Sequence, residues 1–285
     1  MATTSKAVLI TGCSTGIGRA TAIRLASKGW PVYATARKVA AIEDLQAKGC
    51  KTLAVDVCDE ASMKAAVDAV EREHGAVGVL VNNAGYGLEG CFEETPMELV
   101  RKQFETNVFG VIRLCQLVLP GMRKQRWGKI VNLSSVGGTL TLPGGAFYHA
   151  TKYAVEALSD AMRFELGGFG IDVVIIEPGP IKTEFGNTAI ANVKSVSQNG
   201  SPYSAFNAHV AGKINEALNE GWMASLAGMP EDVASAIERA ITATRPRTRY
   251  PITAAARTMM FLRRWLPDRG FDAFLRTQFP PPRPS

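Results

Sequence analysis

With 285 residues, 46% of them hydrophobic and 20% charged, the chain has the profile of a globular protein of one large α/β domain or two small ones, not of a disordered chain. No apolar run approaches the ~20 residues of a bilayer span, the start MATTSKAVLITG does not read as a signal peptide, and five cysteines without a C-x-x-C pair point to neither a disulfide framework nor a metal site, so a cytoplasmic location is expected. The net charge of +6 gathers at one end: from Arg245 onward nine arginines stand against two aspartates, which leaves the first 244 residues at −1.

Short β-branched runs alternate with longer helical stretches. AVLIT (7–11) reads as a strand, followed by a helix over about 17–28. VYAT (32–35) leads to a helix over 38–48, and TLAV (52–55) to one over 59–74. VLVN (79–82) precedes a long helix over 96–122, KIVNLS (129–134) one over 147–167, and DVVIIE (172–177) ends the series. Most of these strands are continuous apolar runs, as strands buried on both faces are. The pattern predicts an α/β fold, a single doubly wound parallel sheet with helices on both faces and right-handed crossovers. Residues 186–228, rich in Asn, Ser, Gly and Ala, are too long for an ordinary connection and are expected to form a substrate lid with short helices. PEDVASAIERAI (230–241) starts with proline and acids, a helix-start signature. RYPI adds an edge strand, TAAARTMMFLRRWL and DRGFDAFLRTQF two short amphipathic helices, and PPPRP a frayed end. The expected organisation is one body over 1–250 with a basic helical extension over 251–285 packed on it.

Three motifs carry chemistry. TGCSTGIG (11–18) joins the first strand to the first helix; its glycines let the backbone approach a ligand, and the helix N-terminus offers N–H groups to a pyrophosphate. Glycines at 12, 16 and 18 are spaced more widely than the G-x-G-x-x-G dinucleotide fingerprint, but the strand-before, helix-after context is that of a Rossmann-type dinucleotide site. At the end of the second strand, VYATARK places Arg37 and Lys38 where an acid would read a ribose 2′-OH and an arginine would accommodate a 2′-phosphate. That favours NADP(H), with NAD(H) left open. In YHATK (148–152), a helical conformation puts Tyr148 and Lys152 on one face, where an ammonium would lower a phenol that titrates near pH ~10. Taken alone, the pair fits an ordinary helix surface equally well.

Together these segments resemble the short-chain dehydrogenase/reductase family over about residues 5–250, nearest its hydroxysteroid and retinol dehydrogenase branch. TGCSTGIG matches the family's cofactor loop, Asp56-Val57 its adenine contact, and Asn82-Asn83-Ala84-Gly85 its NNAG motif. NVFG from Asn107, NLSS ending at Ser135 (13 residues before Tyr148), YHATK and PGPIKT (178–183) complete the series. The resemblance implies hydride transfer with Tyr148 as acid/base, Lys152 lowering its pKa and holding the nicotinamide ribose, Ser135 bonded to the substrate oxygen, and Asn107 positioning a proton-relay water. It implies a cofactor site made of Gly12, Ser14, Thr15, Gly16, Ile17, Gly18, Arg37, Asp56, Val57, Asn83, Ala84, Gly85, Tyr148 and Lys152, with Pro178, Gly179, Ile181 and Thr183 seating the nicotinamide. Thr15 stands where NADP-using relatives often carry a base, so Arg37 must discriminate largely alone.

The expected substrate walls are Tyr86, Leu88, Leu140, Leu142, Phe147, Phe185, Trp222 and Met223, mostly apolar and without an arginine clamp. They predict a hydrophobic carbonyl compound or its alcohol as substrate. His149 is expected to be structural, and no metal or nucleic-acid partner is expected. The long helices 96–122 and 147–167 form the subunit interface in relatives, implying a homodimer or homotetramer. The arginine-rich end either closes the pocket, lies on an anionic membrane, or is simply solvated. Against the leading reading of an NADP(H)-dependent carbonyl reductase or alcohol dehydrogenase stand an NAD(H)-preferring enzyme, a non-catalytic dinucleotide-binding sensor and a scaffold that kept the fold.

Overall fold

The computed structural model describes residues 4–198, 200–220 and 224–282. The six central runs form β1 (Val8–Ile10), β2 (Val32–Ala36), β3 (Lys51–Ala54), β4 (Val79–Asn82), β5 (Gly128–Leu133) and β6 (Ile171–Glu177), with β7 (Arg249–Pro251) at one edge. All pairs are parallel, and the sheet runs β3-β2-β1-β4-β5-β6-β7, so the chain reverses its direction of growth between β1 and β4. In an open α/β sheet the crevice outside the strand ends at this reversal is where ligands bind. The pleat assigns alternate side chains to opposite faces. Val8 and Ile10 pack with Leu25, Ile176 and Ile237 on one side, and Leu9 packs with Val70, Leu80 and Leu114 on the other. The first layer is closed by α1 (Gly16–Ser27) and α8 (Pro230–Thr242), the second by α2 (Glu60–His74) and α4 (Gly110–Gln125).

Two helix expectations change. Residues 38–48 are not an α-helix: Val39–Ala41 and Glu43–Lys48 are 3-10 turns divided at Ile42, whose φ of −135° breaks the helical run. The fully buried pair Ile42 and Leu45 stands three apart, the 3-10 period rather than an α stripe. The stretch 96–122 is α3 (Met97–Phe104) and α4 joined by a π turn, Glu105–Phe109, and Asn107 lies in that turn. The segment YHATK lies in the single helix α5 (Ala146–Leu166).

The expected lid contains two full helices, α6 (Glu184–Val196) and α7 (Ser204–Asn219), starting slightly before the predicted segment. They cross closely because Gly186 has no side chain: a Cβ there would lie 2.0 Å from Leu218 Cδ1. The basic end forms α9 (Ala254–Trp265) and α10 (Asp268–Gln278). It is tied to the lid, since His209 Nε2 donates to the Gln278 carbonyl at 2.7 Å. Before it, Arg249 of β7 is tied to α5, its guanidinium meeting Glu156 at 3.0 Å and Asp160 at 2.8 Å.

Candidate active site

The β1–α1 turn is built to approach a ligand with bare backbone. Gly12 and Gly16 have φ of 72° and 59°, values that favour glycine. At Gly18 the constraint is space instead, because a Cβ would sit 2.4 Å from both the Asn83 amide nitrogen and the Gly12 carbonyl oxygen. Asn83 serves this turn with its side chain, donating to the Thr11 and Gly12 carbonyls at 2.8 and 3.0 Å. The Thr11 hydroxyl accepts from the Asn83 and Ala84 backbone N–H groups in return. Ser14 and Thr15 are exposed, Ile17 is half-buried, and the first turn of α1 contains no acid to cancel its positive end. This cradle fits a dinucleotide phosphate. Arg37 follows β2 and is exposed, and Asp56 holds the start of the β3–α2 loop by accepting from the Cys58 N–H at 3.0 Å. Across the crevice, Thr183 caps α6 and faces Gly16: the latter's Cβ would lie 3.2 Å from Thr183 Cγ2. Pro178 accepts from the Val136 N–H, Ile181 bridges to Gly228, and Gly179 lies so close to Thr253 that only glycine fits (a Cβ would be 2.2 Å from its hydroxyl).

Beside this cradle the four expected catalytic residues converge. A buried side-chain chain, Asn82 to Asn132 at 2.9 Å and Asn132 to Ser159 at 2.8 Å, ties β4 and β5 to α5 and fixes where α5 presents its residues. Tyr148 and Lys152 lie one turn apart, with the ammonium 5.7 Å from the centre of the phenol ring. Lys152 Nζ also donates to the Leu133 carbonyl at 2.7 Å. Ser135, at the end of β5, accepts from the Gly137 N–H at 3.1 Å. Asn107 is held by both ends of its amide: Oδ1 accepts from the Tyr86 N–H, while Nδ2 donates to the Tyr86 carbonyl and the Thr151 hydroxyl. A Cβ on Gly85 would lie 3.1 Å from Asn107 Oδ1 and 3.9 Å from Lys152 Nζ, so these groups share one small space.

The electrostatics of the pair are governed first by burial. Burial, the largest influence, raises the Tyr148 phenol above its ordinary value, with the Ser135 hydroxyl working against it and Glu89 adding to the rise. Lys152 is desolvated as well. Its own pKa is pushed down to about 8 by the same burial, with Glu156 pulling it back up. Burial thus opposes ionisation of Tyr148, and the Ser135 hydroxyl favours it.

The walls divide. Phe185 faces Tyr148 with ring centres 5.4 Å apart and also touches the backbone at Gly87. Phe147 stacks on exposed Phe92 at 4.9 Å and, with Tyr86, packs on a small cluster that includes Leu88. Leu88 and Leu140 are buried core at 3% and 1% exposure, not pocket wall. Leu142 contributes its N–H to His149 Nδ1 at 3.1 Å, which fixes that imidazole's proton on Nε2, and burial pushes its pKa down to about 4, so it is neutral and structural as expected. Trp222 and Met223 lie outside the described residues. Glu89 escaped the sequence reading: it follows the NNAG segment, is half-buried, and its charge is felt at Tyr148. Nothing in its neighbours YGLEG marks it, because its partner surface comes from α5.

A model described as short chain dehydrogenase matches residues 6–194. A 3-ketodihydrosphingosine reductase of Bacteroides thetaiotaomicron is 43% identical over 178 residues, 62% of this chain and 65% of that protein, so the match spans just under two thirds of its length. An NADPH-dependent 3-dehydrocapnine reductase of Ornithobacterium rhinotracheale is 36% identical over 93% of this chain and 94% of the relative. Human retinol dehydrogenase 8 is 35% identical over 87% and 82% of the two chains. Among solved structures, a short-chain dehydrogenase from Streptomyces avermitilis superposes with a TM-score of 0.78 at 31% identity, covering 96% of each chain. Other solved structures of this fold hold NADP+ or NAD.

Proposed function

The chain belongs to the short-chain dehydrogenase family, an NAD(P)-dependent oxidoreductase of CH–OH groups, and from that premise we propose that it interconverts a hydrophobic ketone or aldehyde and its alcohol, preferring NADP(H), with Tyr148 as acid/base. The observation that carries this reading is the convergence of Ser135, Tyr148 and Lys152 beside the Asn107 clamp, next to a glycine cradle that admits phosphate.

A bound dinucleotide would supply or accept the hydride, and the β1–α1 cradle, Arg37, Asp56 and the Pro178–Thr183 loop would hold it. The chain's own residues manage charge and proton. As the substrate carbonyl is reduced, negative charge grows on its oxygen, and Tyr148 Oη–H gives its proton to that oxygen. Ser135 Oγ–H donates a hydrogen bond to the same atom and holds it in place. The phenolate left on Tyr148 is met by the Lys152 ammonium. Asn107, locked by Tyr86 and Thr151, keeps the π turn in register beside Lys152 and offers a route for proton return.

Arg37 and Lys38, with no carboxylate at the end of β2, support NADP(H). Phe185 and the apolar neighbours of Tyr148 support a hydrophobic substrate, in keeping with the lipid-like names of the two bacterial reductases. Exposed Phe109, Tyr153 and Phe164, at the start of α4 and on α5, support a homodimer or homotetramer through these helices. Exposed Phe261 and Trp265 on α9, beside Arg257 and Arg264, support a peripheral contact with anionic membrane. Five free thiols suit a reducing compartment, and among the described residues no helix is long and apolar enough to cross a membrane.

The test is to titrate the protein with NADPH and NADH and then screen long-chain ketones by loss of NADPH absorbance. Tyr148→Phe is expected to lower kcat/KM for the best ketone by a factor of about 10²–10⁴ with cofactor affinity kept. Undiminished turnover in a folded variant would end this assignment.

A further inference from the structure

The face of α5 that presents Tyr148 and Lys152 carries a third polar side chain. Glu156 follows Lys152 by four residues, as Lys152 follows Tyr148, so the three form one stripe, and all three are buried. At that spacing the Cβ atoms of Lys152 and Glu156 are about 5–6 Å apart. Lys152 Nζ is turned to the end of β5, where it donates to the Leu133 carbonyl at 2.7 Å. The next residue, Ser134, borders the same gap as Glu156: a Cβ on Gly138 would lie 2.6 Å from Ser134 Oγ and 3.2 Å from Glu156 Oε1. The other carboxylate oxygen, Glu156 Oε2, accepts from Arg249 Nε at 3.0 Å. We infer that Glu156 is a positioning residue for the reaction: ionised and fixed by Arg249, it acts through Lys152, holding that lysine as an ammonium beside Tyr148. This rests on the carbonyl-reductase reading and deepens it.

The contacts around Arg249 decide which buried carboxyl carries the charge. Its guanidinium comes from β7 and is gripped by Asp160, whose two oxygens each accept from Nη2 at 2.8 Å. That leaves Nε for the interior. Glu156 takes it at 3.0 Å, whereas Glu177 Oε1 stands 3.6 Å away, and neither Glu177 oxygen has a hydrogen-bond partner among the described residues. The shorter, hydrogen-bonded contact favours the ionised form of Glu156 and leaves Glu177 to take up a proton. The two carboxyls behave accordingly. Burial raises both, but at Glu156 the Ser134 hydroxyl and Arg249 work against it, while at Glu177 the neighbouring Glu156 charge adds to it and the value reaches about 7. At Lys152, burial disfavours the ammonium and Glu156 is the anion that opposes it. The other polar side chains at Lys152, the Tyr148 phenol and the Asn107 amide, bring no charge while the phenol holds its proton. Charges buried this close are screened little by salt, so one carboxylate a turn away is strongly felt.

Reduction needs the ammonium, so its rate falls as pH rises through the Lys152 pKa, and without the Glu156 charge that fall comes at lower pH. Glu156→Gln keeps the size of the side chain and removes its charge; Glu156→Asp keeps the charge. In NADPH-driven reduction of the best long-chain ketone, the alkaline limb of kcat is expected to move about one pH unit or more to lower pH in Glu156→Gln and to stay in place in Glu156→Asp. The Lys152 titration in the full chain, followed by NMR of carbon-13-labelled lysine and assigned with Lys152→Met, should show the same displacement. A merely structural role would lower the rate or the Tm and leave the midpoint where it was. An unmoved Lys152 midpoint in Glu156→Gln overturns the inference. If that variant does not fold, the carboxyl carbon signal of Glu156 in the unsubstituted protein decides: an ionised group at neutral pH sustains the inference, and a protonated one overturns it. Failure of every ketone to consume NADPH would instead strike the carbonyl-reductase reading, and the Lys152 titration would still judge Glu156.

Discussion

Replacing Lys152 by methionine should stabilise the protein while abolishing its chemistry. The lysine is 7% exposed, and burial holds its pKa at about 8 against an ordinary 10.5. That difference corresponds to about 3 kcal/mol of preference for the neutral amine. Below pH ~8 the lysine is charged in both folded and unfolded chains, and the folded protein carries the whole penalty. Between ~8 and ~10.5 only the unfolded chain is protonated, so stability rises with pH; above that window both forms are neutral and the penalty is gone. Methionine has nearly the same length and no charge to desolvate. It forfeits the hydrogen bond to the Leu133 carbonyl at 2.7 Å, at a cost of about 1 kcal/mol. The net expectation is a variant about 2 kcal/mol more stable at neutral pH, a Tm rise of roughly 4–8 °C for a domain of this size. Urea unfolding at fixed protein concentration across pH ~6.5 to ~10.5 reads both the gap and its closure. A methionine variant that is less stable near neutrality, or a gap that stays constant with pH, would refute the claim that a desolvated ammonium is held here at a cost to the fold.

Gly18→Ala should push the Asn83 amide away from the cradle, because the added Cβ would sit 2.4 Å from it and from the Gly12 carbonyl. NADPH affinity by calorimetry should fall about tenfold or more, with about 1–3 kcal/mol lost in urea unfolding. Arg37→Asp should invert the cofactor preference, read as the ratio of kcat/KM for NADPH and NADH; an unchanged ratio would remove Arg37 from the discrimination. Arg249→Met should leave Glu156 and Glu177 without their counter-charge. Burial raises the Glu177 carboxyl to about 7, so the buried charge costs most above that pH, and the variant should lose more stability at pH ~8 than at pH ~5. Phe261→Ser with Trp265→Ser should reduce flotation with anionic vesicles; equal flotation by the two proteins would show that α9 does not touch the membrane.

The parts of the site legible in the sequence are those whose geometry is local. Tyr148 and Lys152 meet because a helix repeats every few residues, whatever lies around it. TGCSTGIG makes a phosphate cradle because glycine conformations and a helix start suffice. The strand order could be anticipated because apolar runs alternating with helices admit few topologies. Where a local rule met a competing contact, the reading shifted. Residues 38–48 contain good helix formers, but Ile42 and Leu45 bury on a three-residue repeat, and the segment folds as 3-10 turns. Leu88 and Leu140 looked like pocket wall from their neighbours in the chain, and packing buries them in the core.

By itself, then, the sequence determined the class of fold, the glycine turn after β1 and the placing of Tyr148 and Lys152 on one helix face. Tertiary structure alone decided how deeply those groups are buried. Desolvation depends on whatever atoms close over a group, and those atoms come from far along the chain: Glu89 meets the start of α5, and Asn107 locks onto Tyr86 and Thr151. For that reason the directions in which burial moves the Tyr148 phenol, the Lys152 ammonium and the Glu89 carboxyl have no signature in the order of the residues.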